Sequence, residues 1–578
     1  MLRGLFRTKS LDDILKNIGG PQFGLKRTLG AFNVTLLGIG AIIGAGIFAT
    51  IGTAAAGDAA RPGAGPSLML SFVITAIVCA FTALCYAEFA SMVPISGSAY
   101  TYSYATLGEL VAWIIGWDLI IEYAVGNVAV AISWGNYFRT LLGNLGINFP
   151  QWLATDYRTA AKIPGLYESA PHIFGIPIVF NILALGIVAL ITVVLVWGIK
   201  ESAGFNAVMV CIKIIVLLFF IVIALYFVSP GGMVKNWSPF QPNGWKGTFT
   251  GAALVFFAYI GFDAVSTVAE ETKNPSRDLP IGIIASLVIC TIFYVLVAAV
   301  FTGIMPYSEL VQRLATEQAE PLTMALNHVA PQATWASGIV AFGSVVAHTA
   351  VLLVFQLGQP RIFFSMARDG LLPPVFASVH PKYKTPHVTT ILTGVVVGGF
   401  AAVMSIDEMV DLTNIGTLFA FVLVCVGIII LRYKDPSRPR PFRVPFGTWL
   451  IPTLGAVSCI FLMYYLPPAS WWRFIGWLML GMSIYLSYGY VRSAVGQKLG
   501  RPFPTPMGLK IAAVGFLLLA VGLFIIPHSS SMAELYEKMM SGMDEGKRTI
   551  LAFTSIGIGS LLAVAGLLFG SGNATSSE

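Results

Sequence analysis

An apolar stretch from Phe32 to Ala56 is long enough to cross a bilayer, yet Gly38, Gly40, Gly44 and Gly46 break its middle in the run GIGAIIGAGIF. Glycine weakens a helix by about 1 kcal/mol relative to alanine. Unpaired backbone in hydrocarbon costs several kcal/mol per group unless it faces protein or a water-filled cavity. A segment that only anchored the chain would gain nothing from such a break. A second interruption lies five apolar segments later in FFAYIGFD, from Phe256 to Asp263, where Gly261 and an acid interrupt another span. Matched interruptions in two halves of a chain point to the midplane site of a secondary transporter.

The chain is 56% apolar and only 11% charged, against roughly 25% charged for a soluble domain. This implies an all-α polytopic membrane protein. Windows of about twenty apolar residues number about fourteen. Ten run from Phe32–Ala56 to Met409–Leu431, the third reading as Ala99 to Val125 and on to Phe138, and four more run from Trp449–Leu466 to Ile550–Phe569. An even number puts both termini on one side. With the amino terminus inside, 22 of the 34 lysines and arginines fall in cytoplasmic segments and 11 outside, as the positive-inside rule requires. Both termini are therefore expected in the cytoplasm. The net charge of +7 follows from this bias and gives no reason to propose nucleic acid as a partner. The first thirty residues are too polar for a signal peptide, and SLDDILKNI within them reads as a short amphipathic surface helix or a disordered tail. All six cysteines lie in predicted spans, so no extracellular disulfide framework is expected.

Two sets of five spans, each opening with a broken helix, fit a 5+5 inverted-repeat core with four additional C-terminal spans packed outside it. The expected division is a cytoplasmic segment over 1–30, the ten-span core over 31–433, a basic, proline-rich and extended linker over 434–447, four accessory spans over 448–570 and a tail over 571–578. The longest outside loops are Arg139 to Ile173 and Met305 to Ala333. The second has the apolar spacing of short surface helices and is placed to act as an external lid.

A split helix exposes carbonyls before its break and N–H groups with a positive dipole end after it. A free α-amino acid carries an ammonium next to a carboxylate, so this backbone matches the zwitterion without a charged side chain. The expected donors are Ala45 and Gly46; the expected acceptors are Ile42 in the first span with Phe257, Ala258 and Ile260 in the sixth. Small residues at the donors let a ligand approach the backbone closely, although close helix packing also selects them. Lys213 sits within NAVMVCIKIIVLLFF, where a cation costs about 2.5 to 3.5 kcal/mol at the helix centre. Lysine is the cation that can lose its charge when desolvated. Charged Lys213 would hold carbonyls near the first break, and neutral Lys213 would release them. Asp118 and Glu122 lie one turn apart in GWDLIIEYAVGN. Glu122 is open to three roles: a partner for Lys213, a step in the proton path, or a contact for the substrate side chain. Asp263 has the same alternatives, while Asp118 also suits an interface position. Glu88, near a cytoplasmic helix end, is a candidate inner gate.

The segments GIGAIIGAGIF, YAEFASMVPISGSAYTYSYATLGELVAWIIGWDLIIEY, NAVMVCIKIIVLLFF, FFAYIGFDAVSTVAEETKNPSRDLPIGI and QPRIFFSMARDGLLP together resemble the amino acid–polyamine–organocation superfamily. More narrowly, they resemble bacterial members of its cationic amino acid transporter family. The resemblance implies an amino acid:proton symporter of the bacterial plasma membrane, with the proton as coupling ion and no cofactor. In it Lys213 stands where sodium sits in sodium-coupled relatives. It also makes Phe257 a gate, and Glu122 and Asp263 polar partners. Ala45 departs from close relatives that carry a hydroxyl there. Sodium coupling, exchange of amino acids or polyamines, and a non-transporting sensor are the alternatives. The histidines show no metal-ligand spacing and no nucleophile elbow is present, so an enzyme is not expected. The substrate side chain, neutral or cationic, and any small accessory membrane subunit stay open.

Overall fold

The computed structural model describes residues 7–9, 28–58, 61–92, 98–160, 163–173, 175–198, 203–314, 320–498, 507–525 and 544–572. The expected amphipathic helix SLDDILKNI lies outside these residues. Among them the protein is predominantly helical, with two two-stranded antiparallel hairpins, Gly57–Asp58 (β1) with Arg61–Pro62 (β2) and His172–Ile173 (β3) with Ile176–Pro177 (β4). Among the described residues nine helices are long and apolar enough to cross a membrane, ten if the bent pair Ala31–Ile42 and Gly46–Ala56 is one span. Four shorter apolar helices accompany them. The chain is an integral membrane protein.

The principal helices are α1 (Ala31–Ile42), α2 (Ile51–Ala56), α3 (Leu68–Met92), α4 (Glu109–Asn144), α5 (Ile182–Trp197), α6 (Ala203–Phe227), α7 (Gly244–Val255), α8 (Pro275–Gly303), α9 (Thr334–Arg368), α10 (His387–Val403) and α11 (Ile406–Lys434). After them come α12 (Leu450–Tyr464), α13 (Pro468–Ile484), α14 (Met507–Ile525) and α15 (Asp544–Gly572). Local chemistry sets several boundaries. The Asn181 side chain accepts the Ala184 N–H at 3.0 Å and caps α5, whereas Gly198, at φ 83°, ends it, as N-cap and left-handed C-cap rules predict.

The centre of the bundle is polar rather than uniformly greasy. The segment Gly244–Ser266 has 94% of its most apolar window inside the protein, and α4 has 83%. Each packs against other helices instead of lipid. α4 lies against α9, α11, α10 and α5; α1 lies against α8 and α6. On the outer flank α13 docks on α4 through stacked Trp117 and Trp477, 4.4 Å between ring centroids. Each indole N–H donates to the other residue's carbonyl, at 2.8 and 3.1 Å.

Two sequence expectations change here. The third window is not one helix from Ala99: Ser98–Thr106 is separate, and Gly108 at φ 101° turns the chain before α4 begins. A left-handed glycine ends a helix that apolar content alone would continue. α4 then runs to Asn144, so Arg139 belongs to the helix and not to a loop. In the segment from Met305 to Ala333 the helices Tyr307–Leu314 and Pro321–Val329 are present, but the second is not on the surface. Pro321 to Leu326 are all buried, against the first broken span, α6 and α9.

Candidate functional site

α1 stops at Ile42, and Ile43 is extended at φ −75°, ψ 105°. The backbone ladder resumes when the Ile47 and Phe48 N–H groups both reach the Gly44 carbonyl, at 3.2 and 3.3 Å, through a π turn over Gly46–Thr50. The two halves are bent by 41°. Ala45 and Gly46 stand at the start of the resumed helix, where N–H groups have no partner one turn back. Each glycine of the run faces a neighbour: Gly38 meets Ser286, Gly40 meets Asn206, Gly44 meets Val351 and Gly46 meets Ala258. A Cβ at Gly46 would run into the Ala258 backbone. Packing between the two breaks thus already demands glycine there, independently of any ligand.

Lys213 is fully buried on α6. Its Nζ donates to the Gly40 carbonyl at 2.5 Å and the Ile43 carbonyl at 2.9 Å. These carbonyls flank the point where α1 loses its helical partners, and charge-assisted bonds of this kind are roughly twice as strong as neutral ones. Tyr294 of α8 supplies the other tie. Its hydroxyl lies 2.9 Å from the Ile42 carbonyl and 2.8 Å from the Ala258 carbonyl, so one O–H is shared between the two breaks. Sequence reasoning missed Tyr294. The available signal was a tyrosine inside ICTIFYVLVAAV, since a buried phenol needs a polar partner.

The second break is built differently. α7 gives way to a 3₁₀ turn over Phe256–Tyr259, Ile260 is extended at ψ 133°, and Gly261 sits at φ 121°. A residue with a Cβ would be strained at Gly261 and would also meet the backbone of Ala41. Asp263 Oδ1 accepts the Gly261 N–H at 3.2 Å, so this carboxylate stabilises the turn it follows. From α11, Asn414 Nδ2 donates to the Ala253 and Leu254 carbonyls at 3.0 and 3.1 Å. The chain then continues as 3₁₀ turns over Asp263–Glu271, kinked at Val268.

Of the expected substrate contacts, Ile42, Gly46 and Ala258 come together at one point, and all six of Ile42, Ala45, Gly46, Phe257, Ala258 and Ile260 are buried. The acids form a second group. Glu122 is within electrostatic range of Asp263 and Asp118 and lies near Thr417. Among the described residues both Asp118 oxygens, Glu122 Oε2, Asp263 Oδ2 and the hydroxyls of Tyr86, Tyr123 and Thr417 are buried without a hydrogen-bond partner. A buried polar atom left unpaired costs about 1–3 kcal/mol, so a cluster of them marks a place built to take water, a proton or a polar ligand.

Glu88 lies apart from both groups. Arg432 grips it with Nε at 2.9 Å and also through Nη2, and the Val444 N–H donates to it at 2.7 Å. The basic stretch after α11 therefore folds back onto the end of α3. His348 is a packed polar residue: Nδ1 lies 2.6 Å from the Ser344 carbonyl and Nε2 lies 2.7 Å from Ser133 Oγ. The carbonyl partner places a hydrogen on Nδ1. Among the described residues no group of three His, Cys, Asp or Glu could hold a metal ion, and the cysteines are free.

Residues 29–486 match the family model described as amino acid permease. The chain is 47% identical over 497 residues to the branched-chain amino acid permease BcaP of Bacillus subtilis, covering 86% of this chain and all of that protein. It is 43% identical to the methylthioribose transporter of the same organism, with 86% of this chain and all of that protein covered. It is 37% identical to the vacuolar cationic amino acid transporter 4 of Arabidopsis thaliana, over 75% of this chain and 68% of that one. These relatives are transporters and not enzymes, and the chain belongs to the amino acid permease family of the amino acid–polyamine–organocation superfamily.

Proposed function

We propose that the protein is a secondary active transporter that carries a small neutral or cationic L-amino acid together with a proton by alternating access. The observation that carries this reading is Lys213 Nζ on the Gly40 and Ile43 carbonyls, beside a point where two interrupted spans touch. The substrate carboxylate would take the N–H groups of Ala45 and Gly46, and its ammonium the carbonyls of Ile42, Phe257, Ala258 and Ile260, with Phe257 as gate. Charged Lys213 holds the first break in its bound form. On losing its proton the amine keeps N–H donors but loses the charge that makes those bonds strong, so the break relaxes and the substrate leaves. Glu122 and Asp263 receive or pass on the proton, with Asp118 beside them. Glu88 closes the inner end.

The bent pair, the nine long helices and the four shorter ones fall one to each of fourteen apolar windows. This supports a count of fourteen spans, and on our reading they form a 5+5 inverted-repeat core with four accessory spans and both termini in the cytoplasm of a bacterial plasma membrane. For the side chain, apolar Phe257 and Ile260 and the branched-chain relative favour a neutral substrate. The acids and the cationic amino acid relatives favour a positive one. The test is uptake of labelled amino acids into protein-bearing liposomes under an imposed pH gradient, with and without sodium. Accumulation driven by the pH gradient alone is expected. Accumulation that needs sodium, or binding without flux, would overturn the proposal, and competition by the unlabelled set identifies the side chain.

A further inference from the structure

Three polar residues at the start of α11, Asp407, Asp411 and Asn414, are spaced i, i+4, i+7 and so share one helix face. Two of them bond to the interrupted spans and the third to the hairpin that follows the first span. Asp407 Oδ1 accepts the Thr53 hydroxyl of α2 at 3.1 Å. Asp411 Oδ1 accepts Arg61 Nη1 from the β1–β2 hairpin at 2.6 Å. Asn414 reaches the last carbonyls of α7. Arg61 is itself buried and also pairs with Asp58 at 2.9 Å. Burial works against its charge, but Asp411, Asp58 and Asp407 outweigh that and raise its pKa above the ordinary guanidinium value.

On one side of this seam the hairpin and α7 form a unit, because Thr250 donates to the Pro62 carbonyl at 2.8 Å and Asn243 to the Gly63 carbonyl at 2.9 Å. On the other side α11 is braced from behind, where Glu408 pairs with Arg473 of α13 at 2.9 Å. Permanent helix contacts in a membrane protein are met by small residues and neutral polar side chains, whereas carboxylates and a guanidinium there are rare and mark functional places. Opening an apolar seam to water would cost about 25 cal/mol per Å² of surface exposed, whereas water can take over the bonds of a polar seam. A polar stripe suits surfaces that part.

We propose that the Asp407–Asp411–Asn414 face of α11 is a separable seam latched by Arg61, and that its parting opens the site to the side opposite residues 7–9. Arg61 is a positioning residue here: it acts by holding the hairpin and α2 on α11. The proposal rests on the alternating-access reading above, and the experiment separates the two.

Hydrogen–deuterium exchange of the full protein in lipid nanodiscs compares wild type with Arg61→Gln, Asp411→Asn and the double variant, alongside liposome uptake. Arg61→Gln is expected to speed exchange roughly tenfold in peptides covering 57–63 and 406–412. At the far end, peptides over 100–109, 366–371 and 485–494 should be unchanged or slower, because alternating access opens one side while closing the other. The double variant should add nothing to either single change. Loosening at both ends would mean a structural role, and unchanged exchange near Arg61 would mean no latch; either overturns the proposal. If Arg61→Gln does not accumulate, Arg61→Lys, which keeps charge but loses the forked geometry, gives the same comparison at smaller amplitude. Absence of uptake by wild type would instead reject the transporter reading.

Discussion

The two interruptions meet at Gly46 and Ala258, yet they are held by opposite chemistry. At the first, a lysine from another helix donates to Gly40 and Ile43. At the second, the chain caps itself, with Asp263 on the Gly261 N–H and a neutral amide, Asn414, on the carbonyls of Ala253 and Leu254. A break held by a group that can shed its charge has two states. One capped by its own carboxylate keeps its turn until that carboxylate is protonated, even if α11 and its Asn414 amide part from it. In the proposed cycle the first break is the moving half of the site, and Tyr294 bonds to carbonyls of both.

The largest effect outside Lys213 is expected at that tie. Tyr294→Phe removes the shared hydroxyl and leaves the Ile42 and Ala258 carbonyls unpaired, which should lower the stability of the substrate-free protein by about 1–3 kcal/mol. If those carbonyls receive the substrate ammonium, ligand should restore more stability in the variant than in wild type. Thermal unfolding with and without substrate measures both. An equal ligand shift in the two proteins would remove Ile42 and Ala258 from the site.

A smaller effect separates the two jobs of Asp263. Asp263→Asn keeps an oxygen for the Gly261 N–H but cannot carry a proton, so substrate exchange should stay within about twofold while net proton-driven uptake falls. Asp263→Ala should weaken exchange roughly tenfold as well, since the turn loses its cap. Equal behaviour of the two variants in the exchange assay would mean that the cap contributes nothing. The smallest change is a gain. Ala45→Ser places a hydroxyl beside the expected carboxylate position and should tighten binding by about 1 kcal/mol or less, a few-fold in affinity, read from competition curves.

Much of this site is legible in residues that make no sense in a plain membrane span. Four glycines in eleven residues, and a lysine within an apolar run, are costly unless backbone is exposed and something charged attends it. What could not be read was which atoms meet. Tyr294 looks like any aromatic in a span until two freed carbonyls are found at its hydroxyl. Asp411 and Arg61 are 350 residues apart, and no local pattern links them. The start of α4 was misplaced because hydropathy counts apolar residues, whereas Gly108 acts through its φ angle. The helix Pro321–Val329 has the spacing of a surface element, and the fold buries it. The Gly46 contact with Ala258 shows a further limit: bulk at Gly46 would damage packing whether or not a ligand binds there.

The central claim is that proton loss from Lys213 sets the state of the first break. Its most direct test loads liposomes with a pH-sensitive dye and adds substrate outside, comparing wild type with Lys213→Ala, while counterflow exchange reports whether the variant still binds and turns over. Wild type should acidify the lumen as substrate enters, and Lys213→Ala should exchange substrate without moving protons. Substrate-driven proton entry in Lys213→Ala at the wild-type ratio would contradict the account.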